Sequence, residues 1–346
     1  MTLSASVLEG NRLALARTLS QVENDSPDGR AALSELFPHT GSAHLIGVTG
    51  APGTGKSSLV NQLARYYRNP PQGEISQRVG IVAVDPSSPF SGGAILGDRV
   101  RMRDLAGDPG VFIRSMASRG TLGGLAAATA NVVQVLDAAD FEIILIETVG
   151  AGQAEVDIAR LAHTTLVVEA PGLGDDIQAI KAGILEIADV LVVNKADRPG
   201  VENTERALRG MLQLAHPTRR IFRDDSFSAH HKEDEKGRNS ASTSEEIPIW
   251  IPPVLRTVAT EGTGIPELAR EIANHRKHLE RSGDWQRRER ARLKSELDLL
   301  LQANLVARWR ESVAESRYQE VLEELTQRHI SPWQAVSALL NHGAEP

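Results

Sequence analysis

The feature that most constrains this chain is a glycine-rich run that follows a short apolar segment. Residues 44–49 are largely apolar, and Gly50 to Ser57 then read GAPGTGKS, a match to G-x-x-x-x-G-K-[ST]. Glycines let a backbone curl so that successive N–H groups point at one phosphate group. The run therefore predicts a strand, a phosphate-binding loop and a helix, in that order.

Each residue of this loop is a candidate nucleotide contact. We expect Lys56 to face the β- and γ-phosphates and Ser57 to bind Mg²⁺. The helix that begins near Lys56 directs its positive N-terminal dipole at the same anion. A glycine-rich turn with an incidental lysine is the competing interpretation. The predicted phosphate contacts are Gly50, Ala51, Pro52, Gly53, Thr54, Gly55, Lys56, Ser57 and Ser58.

Short apolar runs alternate with longer helical stretches through the middle of the chain. Runs that are apolar throughout, and not on alternate residues, are typical of strands buried on both faces of a parallel sheet. We therefore expect an α/β domain over residues 41–282, with a doubly wound, mostly parallel sheet. The predicted strands are 44–49, Val79–Asp85, Val111–Ser115, Phe141–Glu147, Thr164–Ala170, Asp189–Asn194 and Val254–Val258.

Helical extensions are expected at both ends of this domain. Residues 1–40 read as helices broken by a polar turn. Residues 283–346 contain no strand-like run and predict a separate helical arm with an apolar stripe at helical spacing. The polar stretch 224–246 has too little apolar surface to offset its ordering entropy and is expected to be a mobile insertion. The stripe consists of Leu293, Leu297, Leu300, Leu301, Leu305 and Val306.

Composition excludes several classes of protein. The chain has 346 residues and no cysteine, which excludes disulfides and thiolate metal sites. A net charge of −7 offers no general basic surface for nucleic acid or anionic membranes. No apolar run reaches the roughly 18 residues that a membrane span needs. We expect a soluble cytoplasmic protein with neither nucleic-acid nor membrane partner, although an amphipathic N-terminus leaves a mitochondrial presequence open.

A second motif indicates guanine as the base. The sequence NKAD at 194–197 follows a predicted strand, and N-K-x-D is the guanine-reading signature of GTPases. The carboxylate of Asp197 can accept hydrogen bonds from N1–H and the exocyclic amine of guanine, whereas adenine lacks that amine. The alternative is a turn that caps the strand. The predicted base contacts are Asn194, Lys195 and Asp197, with Val258, Ala259 and Thr260 in a second loop.

Acidic residues close to the predicted phosphate site are candidate Mg²⁺ ligands, because this cation prefers oxygen donors. Asp85 ends one predicted strand, and Asp98 follows in a stretch that we expect to be flexible. Glu147 ends another strand and opens ETVG, which resembles the D-x-x-G switch of small GTPases with Glu in place of Asp. Each acid could instead make only a structural hydrogen bond. The predicted metal ligands are Ser57, Asp85, Asp98 and Glu147.

Two further residues are candidates for a role in hydrolysis. Gln153 follows the ETVG segment at a position where it could orient the attacking water, and Arg101 lies in a basic cluster that could neutralise charge in the transition state. A solvated surface position is the competing interpretation for both. The predicted catalytic set is Lys56, Glu147, Gln153 and Arg101.

Five segments of the chain, in combination, resemble the MeaB/ArgK GTPases, which are chaperones of adenosylcobalamin-dependent acyl-CoA mutases such as methylmalonyl-CoA mutase. The resemblance covers essentially the whole chain. It implies a SIMIBI-type G domain that binds GTP or GDP with Mg²⁺, and a homodimer joined through the C-terminal arm. Asp175, Asp176 and Lys181 match the charged positions of a switch loop that couples nucleotide state to the mutase. The segments that carry it are GAPGTGKSS, VDPSSPFSGGAILGDRVRM, ETVGAGQAE, APGLGDDIQAIKAGI and NKAD.

The function that the resemblance implies is a GTPase chaperone. It would gate cofactor loading, protect and reactivate the mutase, and hydrolyse GTP slowly unless its partner stimulates it. Three alternatives remain open: a nickel metallochaperone GTPase, an ArgK-like transport-associated kinase or ATPase, and a regulatory module that binds nucleotide without turnover. The lack of cysteine weighs against the first, and the NKAD motif weighs against ATP.

Overall fold

A seven-stranded sheet forms the centre of the fold. The strands are β1 (His44–Thr49), β2 (Val79–Pro86), β3 (Val111–Ser118), β4 (Ile143–Thr148), β5 (Thr164–Glu169), β6 (Val190–Val193) and β7 (Val254–Arg256). All pair in parallel, in the order β3-β2-β4-β1-β5-β6-β7. Each apolar run predicted as a strand overlaps one of them, so the predicted α/β fold with a doubly wound parallel sheet is confirmed.

This computed structural model describes residues 2–86, 102–105, 107–118, 124–148, 154–172, 186–214 and 249–340. The predicted insertion at 224–246 lies outside these residues. The described helices are α1 (Leu3–Leu8), α2 (Arg12–Glu23), α3 (Pro27–Leu36), α4 (Lys56–Arg68), α5 (Gly124–Ala138), α6 (Ala154–Leu161), α7 (Val201–Leu214), α8 (Ile265–Ser282), α9 (Asp284–Ser312), α10 (Glu315–Thr326) and α11 (Pro332–Leu340). Short 3-10 turns occupy Phe37–His39 and Arg103–Leu105.

Helices cover both faces of the sheet, which explains why its strands are apolar throughout. On β4, Ile144 and Ile146 pack into a core shared with α2 and α5. Ile143 and Leu145 point to the other side, where α4 and α8 supply the core. Each buried apolar side chain contributes about 1.5–3 kcal/mol relative to exposure. A strand between two such cores cannot carry polar residues on alternate positions.

Side-chain caps mark the starts of two helices in the N-terminal extension. Asn11 accepts hydrogen bonds from the backbone N–H groups of Leu13 and Ala14 at the start of α2. Ser26 does the same for Gly29 at the start of α3, where Pro27 occupies the first helical position. Such caps satisfy backbone donors that have no partner inside the helix. The polar turn between Asn24 and Ser26 therefore ends one helix and begins the next.

The chain divides into two compact units, residues 1–293 and 294–346. The boundary between them lies within α9, and the predicted division of the chain at 282/283 stays a prediction. Arg288, in the first turns of α9, is buried and bonds to His163 and Asp189 of unit 1. Unit 2 holds the rest of α9 together with α10 and α11, and Ser331 caps the latter through the N–H of Gln334. Among the residues that the structure describes, no helix combines the length and apolar character that a membrane span requires.

Candidate nucleotide site

The glycine-rich loop lies at the centre of the carboxyl edge of the sheet. It follows β1, which pairs with β4 on one side and β5 on the other. Helix α4 then begins at Lys56. Open α/β sheets bind their ligands in the crevice outside the carboxyl ends of their strands. The predicted order of strand, loop and helix is present, and it stands where such a fold forms a ligand site.

Glycine is required at two points of this loop for different reasons. Gly50 has φ 135°, and a Cβ there would stand 2.1 Å from the carbonyl oxygen of Val168 on β5. Gly55 has φ 92° and caps the N-terminus of α4, and a Cβ there would stand 2.5 Å from Nδ2 of Asn194. Both positions combine a left-handed backbone with a close neighbour. The loop therefore keeps its shape only with glycine at its first and last turn.

Two lysines direct their ammonium groups at this loop. Lys56 is buried, and its Nζ donates to the carbonyl oxygens of Gly50 at 2.8 Å and Ala51 at 3.0 Å. Lys195 donates from Nζ to the carbonyl oxygen of Gly53 at 2.5 Å. These contacts bring two cations to one short loop at the positive end of α4. Such an arrangement favours an anion such as a nucleotide phosphate.

Asn194 joins the glycine-rich loop to the loop that follows β7. Its buried side chain donates from Nδ2 to the carbonyl oxygen of Thr54 at 2.8 Å. Its Oδ1 accepts from Oγ1 of Thr257 at 3.1 Å and from the backbone N–H of Ala259 at 3.1 Å. One amide thereby fixes segments that are far apart along the chain. The NKAD motif therefore links the glycine-rich loop, through Asn194, to the predicted second base loop at 258–260.

The residues predicted to read the base surround this amide. Asp197 is exposed and stands in the turn after β6, where the N–H of Ala196 donates to the carbonyl oxygen of Thr257. Val258 and Ala259 are buried, whereas Thr260 is exposed. The N–H of Val258 donates to the carbonyl oxygen of Thr263, which closes the second loop. An exposed carboxylate beside this closed loop is available to a ligand.

Ser57 and Glu147 form an oxygen pair next to the loop. Oγ of Ser57 donates to Oε1 of Glu147 at 2.5 Å, and Glu147 is almost completely buried. Glu147 stands in register with Val48 on β1 and Ala83 on β2, and Asp85 lies two residues further along β2. A hydroxyl and a carboxylate are donors that suit a hard cation such as Mg²⁺. The residues present therefore fit the predicted metal site.

Six of the predicted site residues lie outside the part of the chain that the structure describes. They include one predicted metal ligand, two predicted catalytic residues and the three charged positions of the predicted switch loop. Their roles stay predictions. They are Asp98, Arg101, Gln153, Asp175, Asp176 and Lys181.

Thr257 is a site residue that the sequence analysis missed. Its hydroxyl orients Oδ1 of Asn194, and its carbonyl oxygen holds the turn that carries Asp197. It is buried directly after β7. Its signal in the sequence is weak, since a polar residue at the end of an apolar strand is common.

Comparison with known proteins agrees with this geometry. Residues 15–314 match the family described as methylmalonyl-CoA mutase-associated GTPase MeaB. A protein of Pyrococcus abyssi that is named as a GTPase is 42% identical over 332 residues, which cover 96% of this chain and 93% of that protein. The GTPase ArgK of Escherichia coli is 34% identical over 282 residues, covering 80% and 76%.

A solved structure shows the same fold. The crystal structure titled LAO/AO transport system kinase superposes with a TM-score of 0.67 and covers 99% of this chain and 97% of its own, at 23% identity. That degree of identity supports the fold alone. The family match spans most of the chain, and the relatives are named GTPases, so the chain binds a guanine nucleotide and its activity is GTP hydrolysis. The chain belongs to the MeaB family of methylmalonyl-CoA mutase-associated GTPases.

Proposed function

We propose that this protein is a GTPase chaperone of an adenosylcobalamin-dependent acyl-CoA mutase of the methylmalonyl-CoA mutase type. It binds the mutase, gates the loading of the cofactor, and protects or reactivates the enzyme through GTP hydrolysis. The family description supports the identity of the partner. The observation that carries the nucleotide part is the hydrogen bonding of Asn194 to both Thr54 and Ala259. It joins a phosphate loop to a base loop at one edge of the sheet.

The nucleotide spans these loops in the proposed complex. Backbone N–H groups of residues 50–58 and the ammonium group of Lys56 bind the phosphates. The carboxylate of Asp197 accepts from the guanine edge, with Lys195 and the segment 258–260 around the base. ATP lacks the exocyclic amine that would satisfy this carboxylate, so binding of ATP leaves it without its partner.

A magnesium ion completes the proposed site. Ser57 and Glu147 would hold it, with Asp85 and Asp98 as further oxygen donors, directly or through water. When bound, the ion neutralises charge on the β- and γ-phosphates. The 2.5 Å contact between Ser57 and Glu147 supports this assignment, because it brings two suitable oxygens together beside the phosphate loop.

Hydrolysis needs groups from more than one segment. Lys56 stabilises charge on the phosphates, Glu147 helps to hold the metal, Gln153 orients the attacking water and Arg101 approaches the transferred phosphoryl group. We propose that the free protein assembles this set poorly and that the mutase completes it. Asp175, Asp176 and Lys181 form the segment that passes the nucleotide state to the mutase, because contacts to the γ-phosphate bias it between two arrangements.

We also propose that two copies associate through the C-terminal arm. Within unit 2, large apolar side chains on α9 remain exposed at spacings of four residues. Leu297, Leu301 and Leu305 are 64%, 54% and 57% exposed. Exposed apolar stripes of this kind commonly mark interaction sites, and a second copy offers a matching stripe by two-fold symmetry.

The proposal is tested by binding of the purified protein to a purified methylmalonyl-CoA mutase in the presence of GTP, GDP, ATP or no nucleotide. We expect a complex whose affinity differs between GTP and GDP, and no response to ATP at equal concentration. The Lys56→Ala variant serves as the control that responds to neither nucleotide. Absence of a complex in every nucleotide state would contradict the chaperone function. An equal effect of ATP and GTP on the complex would favour the function of a transport-associated kinase or ATPase.

A further inference from the structure

A buried polar cluster occupies the amino edge of the sheet, at the opposite ends of the strands from the nucleotide site. It joins residues at the starts of β1, β5 and β6 to residues of α8 and to the first turns of α9. None of them takes part in the nucleotide site described above. This amino-edge cluster consists of His44, His163, Thr164, Asp189, His275, Trp285, Arg288, Glu289 and Arg292.

A buried ion pair anchors α9 in this cluster. Arg288 donates from both terminal nitrogens to the two carboxylate oxygens of Asp189, each at 2.9 Å, and one nitrogen also donates to the carbonyl oxygen of His163 at 2.6 Å. Burial opposes ionisation of Asp189, but Arg288 and His275 hold its pKa well below its ordinary value. The pair is therefore charged at neutral and mildly acidic pH.

His163 is the titratable group of the cluster that hydrogen-bonds to α9. Its ring is buried, and Nδ1 accepts the backbone N–H of Leu45 at 3.1 Å. In the neutral ring the proton therefore lies on Nε2, which donates to Oε1 of Glu289 at 2.5 Å. The indole of Trp285 packs on the same ring, with centroids 3.9 Å apart. One imidazole thus bonds to the backbone of β1 and touches two side chains of α9.

Only the neutral form of His163 fits this environment. A second proton would sit on Nδ1 and face the N–H of Leu45, so that two donors would point at each other. To avoid this, the ring must rotate, and rotation removes its hydrogen bond to Glu289 and its contact with Trp285. Protonation therefore weakens the contacts that hold α9.

The groups around the ring shift the pKa of His163 in opposite directions. Burial lowers the pKa of His163, Glu289 raises it, and Arg292 and Arg288 lower it again. Burial opposes ionisation of Glu289, but His163 and Arg292 lower its pKa to about 2, so it remains an anion. Burial and the neighbouring His163 also lower the pKa of His44, whose ring stacks 6.2 Å away. The other titratable or charged groups that face the cluster are Asp189, His275 and Arg276.

We propose that the amino-edge cluster is a pH-sensitive latch that holds the first turns of α9 on the G domain and loosens when His163 takes up a second proton. The latched state keeps the histidine neutral, whereas the loosened state exposes it to water. The loosened state therefore binds more protons, and the stability of the latch falls as the pH falls below the ordinary histidine pKa of about 6.5.

Hydrogen–deuterium exchange of the full-length protein tests the latch. After correction for the chemical exchange rate, we expect the amides of residues 285–292 to exchange up to about tenfold faster at about pH 5.5 than at about pH 7.5, the limit for uptake of one proton at a pKa of about 6.5. The amides of α5 should change little. In the His163→Gln variant, an amide replaces the ring with an acceptor and a donor that do not titrate, and the pH dependence should disappear. His39→Gln, at an exposed histidine, is the matched control and should behave as the unmodified protein.

Two results would overturn the proposal: corrected exchange of α9 that does not vary with pH, or a full pH dependence in His163→Gln. Glu289→Gln provides a second test, which can be carried out even if His163→Gln does not fold. It removes the anion that would stabilise a protonated ring in the latched state, so acidification should favour the loosened state more strongly and the pH midpoint of loosening should move to higher pH. A midpoint that stays in place or falls would contradict the latch.

Discussion

At the scale of single residues, Lys56 tests the phosphate site. Its Nζ lies at the loop, bonded to the carbonyl oxygens of Gly50 and Ala51. Lys56→Ala removes the cation that faces the phosphates, and charged hydrogen bonds are worth about 1.5–3 kcal/mol each, so we expect GTP affinity to fall at least about 100-fold. Calorimetric titration measures this loss. Lys277→Ala, at an exposed lysine of α8, should bind GTP normally, and unchanged affinity in Lys56→Ala would contradict the assignment of the loop.

Substitution of Asp197 tests the preference for guanine over adenine. This residue is exposed in the turn after β6, so its replacement should leave the fold intact. Asp197→Asn replaces one acceptor oxygen by a donor that faces the N1–H and amine of guanine. We expect the preference for GTP over ATP to fall by about 10- to 100-fold, the effect of one or two lost hydrogen bonds. Competition between the two nucleotides measures it, with Asp28→Asn as an exposed control. An intact preference for GTP would mean that the guanine is read elsewhere.

The site residues could be predicted only where a motif names them. The spacing of glycines and lysine indicated the phosphate loop, and NKAD indicated the base loop. Thr257 could not be found this way, because its role depends on the amide of Asn194, directly after β6, which lies 63 positions away in the sequence. The contact between Ser57 and Glu147 spans 90 positions and likewise exists only once β1 and β4 pair.

At the scale of elements, the glycine-rich loop depends on its close approach to β5. Gly50→Ala places a Cβ 2.1 Å from the carbonyl oxygen of Val168, whereas Gly73 has a similar positive φ of 101° and no atom within 4 Å of its Cβ position. Both substitutions strain the backbone, but only the first adds a steric clash. We expect Gly50→Ala to lose more than about 2 kcal/mol of unfolding free energy and most GTP binding, and Gly73→Ala about 1 kcal/mol or less. Chemical denaturation measures the difference, and equal losses would show that the approach to β5 is not the cause.

Most elements could be predicted from apolar runs and caps, because strands buried on both faces allow few polar residues. The burial of the first turns of α9 could not. Arg288 carries a charge that a sequence pattern assigns to solvent, yet it is buried against Asp189, which is 99 positions away. A buried ion pair is recognised only when both partners are in place. The run of charged residues that opens α9 therefore gives no sign that part of it is buried.

At the scale of the whole molecule, the exposed stripe of α9 predicts self-association. Leu301→Glu puts a charge in the middle of the stripe, and burial of an unpaired charge in an interface is unfavourable by several kcal/mol. We expect the full-length protein to elute and scatter light as a dimer and Leu301→Glu as a monomer. Gln302→Glu adds the same charge one position away and should remain dimeric. A monomer in the unmodified protein, or a dimer that survives Leu301→Glu, would contradict the proposed role of the arm.

The proposed coupling of the bound nucleotide to the mutase depends on features at all three scales. In the proposed function, single side chains hold the nucleotide, loops at the carboxyl edge respond to it, and the whole chain presents the response to the mutase. The direct measurement is the rate of phosphate release from GTP by the purified protein, with and without methylmalonyl-CoA mutase from the same source. We expect a slow rate for the protein alone and a rise of at least about tenfold with the mutase, and we expect Lys56→Ala to abolish both. A rate that saturating mutase leaves unchanged would contradict it.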